Sequence, residues 1–392
     1  MMKKICSLLL LSLTIVSLWA QTPKARQRLV VTQGDRQTVY DVSRLSRVVF
    51  DSVGTFTAPA TLVSAAGYTL KVHVEKPEGC QRYQVAVYDA GQTVSDLRAY
   101  VQANPSADET DSKDVEIGGL KPQTQYVVAT LAYDRYGLPN GTATLAAATV
   151  VPTDSERPQV GNILYADGSW SRRLVSGRTP VGIIFSTTTS AADQAHGWTL
   201  GYALALRDAA QQVAWATANG PYQAGTDYTS ATEYYFQTDS AGYDHTQALL
   251  AQGADKYPAA AAAAAYDQPA PRQSSGWYLP SSGQWFDVCT NLGRLSRDMP
   301  RLSATEGYWN TPQVVTNTLA TLNEYLSLAG RGNYEPISVP SGDYRWYWCS
   351  SEGNSEQAYA VFFDQDQLVV ELAAYFKTYA FSSNRVRAVI AF

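Results

Sequence analysis

Residues 58–151 are a succession of short runs in which apolar and polar side chains alternate, and this pattern constrains the fold more than any other feature of the chain. TLKVHVE, YQVAVYD, DVEIGGL and QYVVATLAYD are separated by Gly, Pro, Asp and Asn. A two-residue period turns alternate side chains to opposite faces of a strand, and closely spaced turn residues fold such strands back on one another. The expectation is an all-β sandwich over 57–151.

The chain has 392 residues, more than a single core usually organises, so further domains are expected. Upstream, LVVTQGDRQTVYDVSRLSRVVF reads as two strands around a Gly34-Asp35 turn, then a short helical turn before Val48, Val49 and Phe50. This is a β lead-in over 21–56. Downstream, the two prolines and mixed charge of PTDSERP mark a stiff linker at 152–158. A second folded region, 159–392, follows.

Lys3 and Lys4 precede an apolar run that ends at Trp19-Ala20 before the polar Gln21. This is the pattern of a secretory signal peptide over 1–20 and predicts a protein secreted to, or held at, the outer surface of a bacterium. Cys6 lies too early to carry a lipid at the cleavage point. No later stretch reaches the about 18 unbroken apolar residues of a membrane span, so no transmembrane segment is expected after cleavage.

The formal net charge of -5 predicts no affinity for nucleic acid, which requires clustered positive charge. The 26 tyrosines and 9 tryptophans suit both β cores and recognition surfaces, because each combines a large apolar area with a polar edge.

Leu120-Lys121-Pro122-Gln123-Thr124-Gln125-Tyr126 resembles the L-x-P-x-T-x-Y signature of fibronectin type III domains. The resemblance implies that Tyr126 bonds backbone at a sandwich corner. The tryptophan usual on the early strand of that family is absent, with Val74 near its place.

In 159–392, VGNILYADGSW and RTPVGIIF predict strands around an Asp167-Gly168 turn. In WTLGYALALRDAAQQVAW, the apolar spacing of Leu200, Ala203, Leu204, Ala209 and Val213 predicts an amphipathic helix. PAAAAAAAY predicts a helical turn, and GWYLPSSGQWFDVCTNL a helix capped by Ser281 or Ser282. With YRWYWCSSE, AYAVFFD and NRVRAVIAF, these segments resemble FISUMP-type domains of the C-type-lectin-like, α+β fold. The final stretch is also similar to the variable proteins of diversity-generating retroelements.

The resemblance implies a ligand-display surface built on a fixed framework. Val361 and Phe363 are expected to pack inward. Trp346, Asn354, Glu356, Tyr359, Phe362, Asp364, Gln367, Tyr375 and Tyr379 are the expected ligand contacts, with a protein or a glycan as partner. Asp364, Asp366 and Glu371 read as a solvated rim.

No catalytic constellation emerges, and neither an enzymatic activity nor a cofactor is expected. The calcium-dependent sugar motifs are broken at Glu335-Pro336-Ile337 and Trp309-Asn310-Thr311. His73, His196 and His245 lack the spacing of a zinc site. After signal cleavage three cysteines remain, and Cys289 with Cys349 is the candidate disulfide, the alternative being three buried thiols. The resemblance also admits a formylglycine-generating oxidase, which would need those two thiols reactive. The leading expectation is a surface adhesin or ligand-binding protein. The alternative is a structural subunit of a fimbrial or envelope assembly.

Overall fold

The computed structural model describes residues 28–33, 35–44, 52–220, 235–303 and 306–392. The predicted signal peptide, Gly34 of the predicted turn and Val48–Phe50 lie outside them. The chain divides into two units, Met1–Gly54 and Thr55–Phe392. In the first, β1 (Arg28–Gln33) and β2 (Arg36–Asp41) form an antiparallel two-stranded hairpin, followed by a single 3-10 turn at Val42–Arg44.

The second unit begins with the sandwich. One sheet contains β3 (Ala60–Ala65), β4 (Leu70–Val74) and β7 (Lys113–Ile117), in the order β3-β4-β7. The other contains β5 (Cys80–Asp89), β6 (Ala107–Glu109), β8 (Gln125–Asp134) and β9 (Pro139–Ala148), in the order β6-β5-β8-β9. Strict alternation in β4 buries Leu70, Val72 and Val74 and turns Lys71 and His73 outward. These residues meet Val115 and Ile117 of β7 and Tyr83, Val85, Tyr126 and Val128 of the facing sheet. Helix α1 (Leu97–Ala103) covers the outer face of the four-stranded sheet, setting Val101 against Ala86, Ala129 and Leu131. Its N-cap is Asp96, whose carboxylate accepts from the Ala99 amide at 3.0 Å. At the corner leading into β8, the Tyr126 hydroxyl accepts the Lys121 amide at 2.8 Å, with Leu120 buried beneath it.

The remaining region is α+β. Its first sheet holds β10 (Ile163–Tyr165), β11 (Trp170–Ser171), β12 (Pro180–Ser186), β13 (Tyr202–Ala205) and β21 (Val389–Ala391), in the order β11-β10-β12-β13-β21. The β10–β11 turn uses Gly168 at φ +80°, where an L side chain would be strained. The predicted amphipathic helix over 198–215 is not formed. The segment instead gives β13 and the short β14 (Ala210–Gln211). The physical reason is burial on both faces. Tyr202, Leu204 and Leu206 enter one core and Ala203 and Ala205 another, so a two-residue period hides inside an unbroken apolar run.

A second, seven-stranded sheet adds β15 (Arg301–Leu302), β16 (Gly307–Trp309), β17 (Tyr344–Glu352), β18 (Gln357–Asp364), β19 (Val369–Phe376) and β20 (Asn384–Val386), in the order β14-β20-β17-β18-β19-β16-β15. All its pairings are antiparallel except β17 with β20. Helices α2 (Ala191–Ala195), α3 (Tyr235–Thr238), α4 (Gly242–Ala251), α5 (Pro258–Ala264), α6 (Ser282–Asp287) and α7 (Val314–Ser327) accompany the sheets. The alanine run is α5, with Ala259, Ala260 and Ala263 buried. Of the two candidate caps, Ser281 is the one used. Its hydroxyl accepts from the Gln284 amide while the Gln284 side chain accepts from the Ser281 amide, a complete capping box.

The sandwich and the α+β region share contacts around the segment 152–158. Glu156 accepts the Gly67 amide at 3.2 Å and, through its carbonyl, the Trp170 indole N–H at 3.1 Å. Tyr68 and Trp170 meet edge to face with centroids 4.9 Å apart. Arg178 bonds Glu116 at 2.6 Å. Arg272 donates to the Val87 carbonyl at 2.7 Å and lies over the Tyr100 ring.

Candidate functional site

Strands β17, β18 and β19 determine which side chains of the terminal stretch reach solvent. Trp346 pairs with Phe362, and Phe362 with Glu371. Alternation therefore sets Trp346, Trp348, Ala358, Ala360, Phe362, Glu371, Ala373 and Tyr375 on one face. Tyr347, Tyr359, Val361, Phe363, Val370 and Leu372 take the other face and enter a separate core.

Four of the predicted contacts come together on the first face. The Trp346 ring lies 4.2 Å from Tyr375, 5.5 Å from Phe362 and 6.5 Å from Tyr379, centroid to centroid. Phe362 and Tyr375 stack at 5.5 Å. Tyr344 and Phe381 extend the cluster, 6.1 and 6.4 Å from Trp346, and Tyr379 links to Phe376 and Phe381. Trp346 and Phe362 form its buried floor. Phe376, Tyr379 and Phe381, at 40%, 37% and 48% exposure, form an open side. The Tyr375 hydroxyl donates to Glu371 at 2.9 Å. Partial burial pushes the Glu371 carboxyl above its usual range, an effect the Tyr375 bond opposes.

Sequence reasoning missed Tyr344, Phe376 and Phe381. Tyr344 was legible as the residue two positions before Trp346 on one strand. Phe376 ends β19 and joins the cluster through Tyr379, while Phe381 reaches it from the chain turning after β19, which no periodicity marks.

The other predicted contacts lie elsewhere. Tyr359 is a correction: only 2% exposed, it stacks on Phe236 at 5.7 Å inside the core. It shares the parity of Val361 and Phe363, so it packs with them. Asp364 is a second correction to the expected solvated rim. It is buried, and one carboxylate oxygen accepts the amides of Asp366 and Gln367, both at 2.8 Å, to close the β18–β19 turn. Asn354 closes the β17–β18 turn in the same way, accepting the amides of Glu356 and Gln357. Asn354 and Glu356 thus sit at one end of β18, and Asp364 and Gln367 at the other, roughly 23 Å apart at ~3.3 Å per residue.

The candidate disulfide is corrected too, since Cys80, Cys289 and Cys349 are all free and buried. Burial pushes the Cys289 and Cys349 thiols well up. Neither can supply the accessible thiolate that the oxidase alternative needs.

The residue after β19, Lys377, forms a buried ion pair with Glu352 at the end of β17, with no exposure of either side chain. The Lys377 ammonium also lies 4.9 Å from the Trp215 ring centroid. Desolvation lowers the Lys377 pKa, and the Glu352 carboxylate opposes the shift. A second buried pair joins Arg387 to Asp208 at 2.7 Å. Ser350, His245 and Asp239 also meet, but the serine hydroxyl and the carboxylate approach the same nitrogen of His245, at 3.4 and 3.7 Å. A nucleophilic relay uses opposite ring nitrogens and an accessible hydroxyl, and Ser350 is fully buried.

Among the described residues no group of three or more His, Cys, Asp and Glu could hold a metal. Glu335 accepts from the Asp208 amide and the Gln211 side chain, both at 3.4 Å. Trp309 is a core residue whose indole donates to the Ser296 carbonyl. Among the described residues no helix is long and apolar enough to cross a membrane.

The chain matches no protein-family profile and no curated protein. Among solved structures it is similar to the sixth fibronectin type III domain of human fibronectin type III domain containing protein 3, at 16% identity and a TM-score of 0.22, over 28% of this chain and 98% of that one. It is similar to the FN5 domain of Drosophila Lar, at 17% identity and 0.19, over 25% and 98%. Domains d3-d4 of the rat CD45 extracellular region align at 12% identity and 0.20, over 38% and 78%. By its own two sheets and its tyrosine corner, the domain that opens Thr55–Phe392 is fibronectin type III-like, and an α+β region follows it.

Proposed function

We propose that this protein is an exported surface protein that binds a protein or glycan ligand through the aromatic cluster of its C-terminal α+β region, with the sandwich as its support. The observation that carries the reading is the joining of Trp346, Phe362, Tyr375, Tyr379 and Phe381 into one patch whose side at Phe376, Tyr379 and Phe381 is open. Rigid aromatic rings offer stacking area at low entropic cost, and the Glu371 carboxylate beside them offers an acceptor for a hydroxyl or amide. The basic, apolar start of the chain supports export. Two features support a C-type-lectin-like head. The final strand β21 returns beside the early strand β13, and three long strands, β17 to β19, carry the display face.

The test is binding of the full-length protein to glycan and protein arrays, wild type against a Tyr379→Ala, Phe381→Ala double variant. Loss of the wild-type signal in the variant is the expected outcome. An unchanged signal would place recognition elsewhere. A structural-subunit role has one observation in its favour, the exposed Val30, Val31, Val39 and Tyr40 on the β1–β2 hairpin.

A further inference from the structure

A cleft of about 390 Å³ opens between the sandwich and the α+β region, on a side of the molecule described by other residues than the aromatic cluster. Tyr68 comes from the sandwich, Arg157 from the connecting segment, and Asn162, Trp170, Arg172 and Arg178 from the α+β region. Two of these are polar and more than nine-tenths buried, Tyr68 at 6% exposure and Asn162 at 7%. The Asn162 carbonyl oxygen accepts the Gln159 amide. Its amide nitrogen and the Tyr68 hydroxyl have no hydrogen-bond partner among the described residues, although both side chains line the cleft. Neither atom is sealed from solvent, so in a side chain otherwise largely buried each is held at the cleft wall with hydrogen-bonding capacity left for a bound molecule to take over from water.

The charges of the lining narrow the chemistry of that partner. Glu156 is committed to Gly67 and Thr153, and Glu116 to Arg178. Arg178 is committed in turn to Glu116 and Ser169. Arg157 has only a 3.7 Å contact with the fully exposed Asp154, and Arg172 has no ion pair or hydrogen bond among the described residues. The uncommitted charge of the cleft is therefore cationic. Trp170, held between Tyr68 at 4.9 Å and Phe392 at 6.1 Å, is only partly buried at the cleft wall, and its remaining exposed part offers apolar contact to a sugar ring.

We infer that this cleft binds a carboxylated saccharide. The carboxylate faces Arg172 and Arg157, the hydroxyls pair with Tyr68 and Asn162, and a pyranose ring packs on Trp170. The site is distinct from the aromatic cluster and does not depend on it.

The experiment is calorimetric titration of the full-length protein with trigalacturonate, alongside its trimethyl ester as a neutral control. Trigalacturonate is expected to bind, the ester about tenfold more weakly, as loss of one charge-assisted hydrogen bond implies. Arg172→Gln should weaken trigalacturonate by a similar factor. Tyr68→Phe, which keeps the ring contact with Trp170, should weaken acid and ester alike. Hydrogen exchange with trigalacturonate bound should show protection at 67–70 and 169–173. Absence of binding, or affinity unchanged in both variants, overturns the inference. Protection confined to 375–381 also overturns it, while leaving the aromatic cluster as the recognition site.

Discussion

His73 stands on an outward position of β4 between two carboxylates, with Nδ1 2.9 Å from Asp114 and Nε2 3.5 Å from Glu75. The hydrogen bond to Asp114 is the main influence holding its pKa above 6.5. A raised folded value means that the histidine's contribution to stability is complete below pH 6.5 and disappears as pH climbs through the folded pKa, while at acid pH the pair is lost as Asp114, held below its usual value chiefly by Lys71 and then by His73, takes up its proton. An NMR titration should find the His73 midpoint above 6.5, and Asp114→Asn should lower it. A wild-type midpoint at or below 6.5 would contradict the pairing. At this scale the sequence was legible wherever a short local pattern decided the outcome. Tyr126 was placed at its corner by a seven-residue signature, and Ser281 was one of two named caps. Tyr359 was misplaced because its parity with Val361 and Phe363 was set aside in favour of its aromatic character. Nothing local distinguishes an aromatic residue that fills a core from one that meets a ligand. Facing strands decide that.

At the scale of elements, the ion pair between β17 and the end of β19 is the most exposed to single substitutions, because both partners are fully buried. Removing one partner leaves a desolvated charge. Glu352→Gln should therefore cost roughly 3–5 kcal/mol in urea denaturation, while Glu352→Leu combined with Lys377→Met should recover most of it. A loss under about 1 kcal/mol for the single variant would show the lysine reaching water. Strands with one wet face, such as β4, were readable from alternation. Strand β13 was not, because burial on both sides erases the polar half of the pattern, and the remaining apolar residues happen to fall at helical intervals. The hairpin turns escaped for a related reason. Asn354 and Asp364 look like ligand contacts by residue type, yet their oxygens are spent on the amides of their own turns.

Across the whole of Thr55–Phe392, the sandwich and the α+β region are held by Arg178 to Glu116, Arg272 to the Val87 carbonyl, and Tyr68 against Trp170. Calorimetry of the wild-type protein should show these two regions melting together. Arg178→Ala with Arg272→Ala should resolve two transitions, and a single unshifted transition in that variant would show the guanidinium contacts to be incidental. PTDSERP breaks the sequence pattern between the sandwich and the α+β region, yet the chain divides into compact units at Gly54 and Thr55, and both regions belong to the second. Their mutual contacts were not legible, since the residues that meet are separated by 62 positions for Arg178 with Glu116 and 185 for Arg272 with Val87. The Arg272 contact has a mechanical consequence. The guanidinium grips a carbonyl in the interior strand β5 as well as a side chain, so a pull applied through the sandwich would reach the α+β region as shear across this joint. Tension would then tilt both regions as one lever, without first straightening a slack tether.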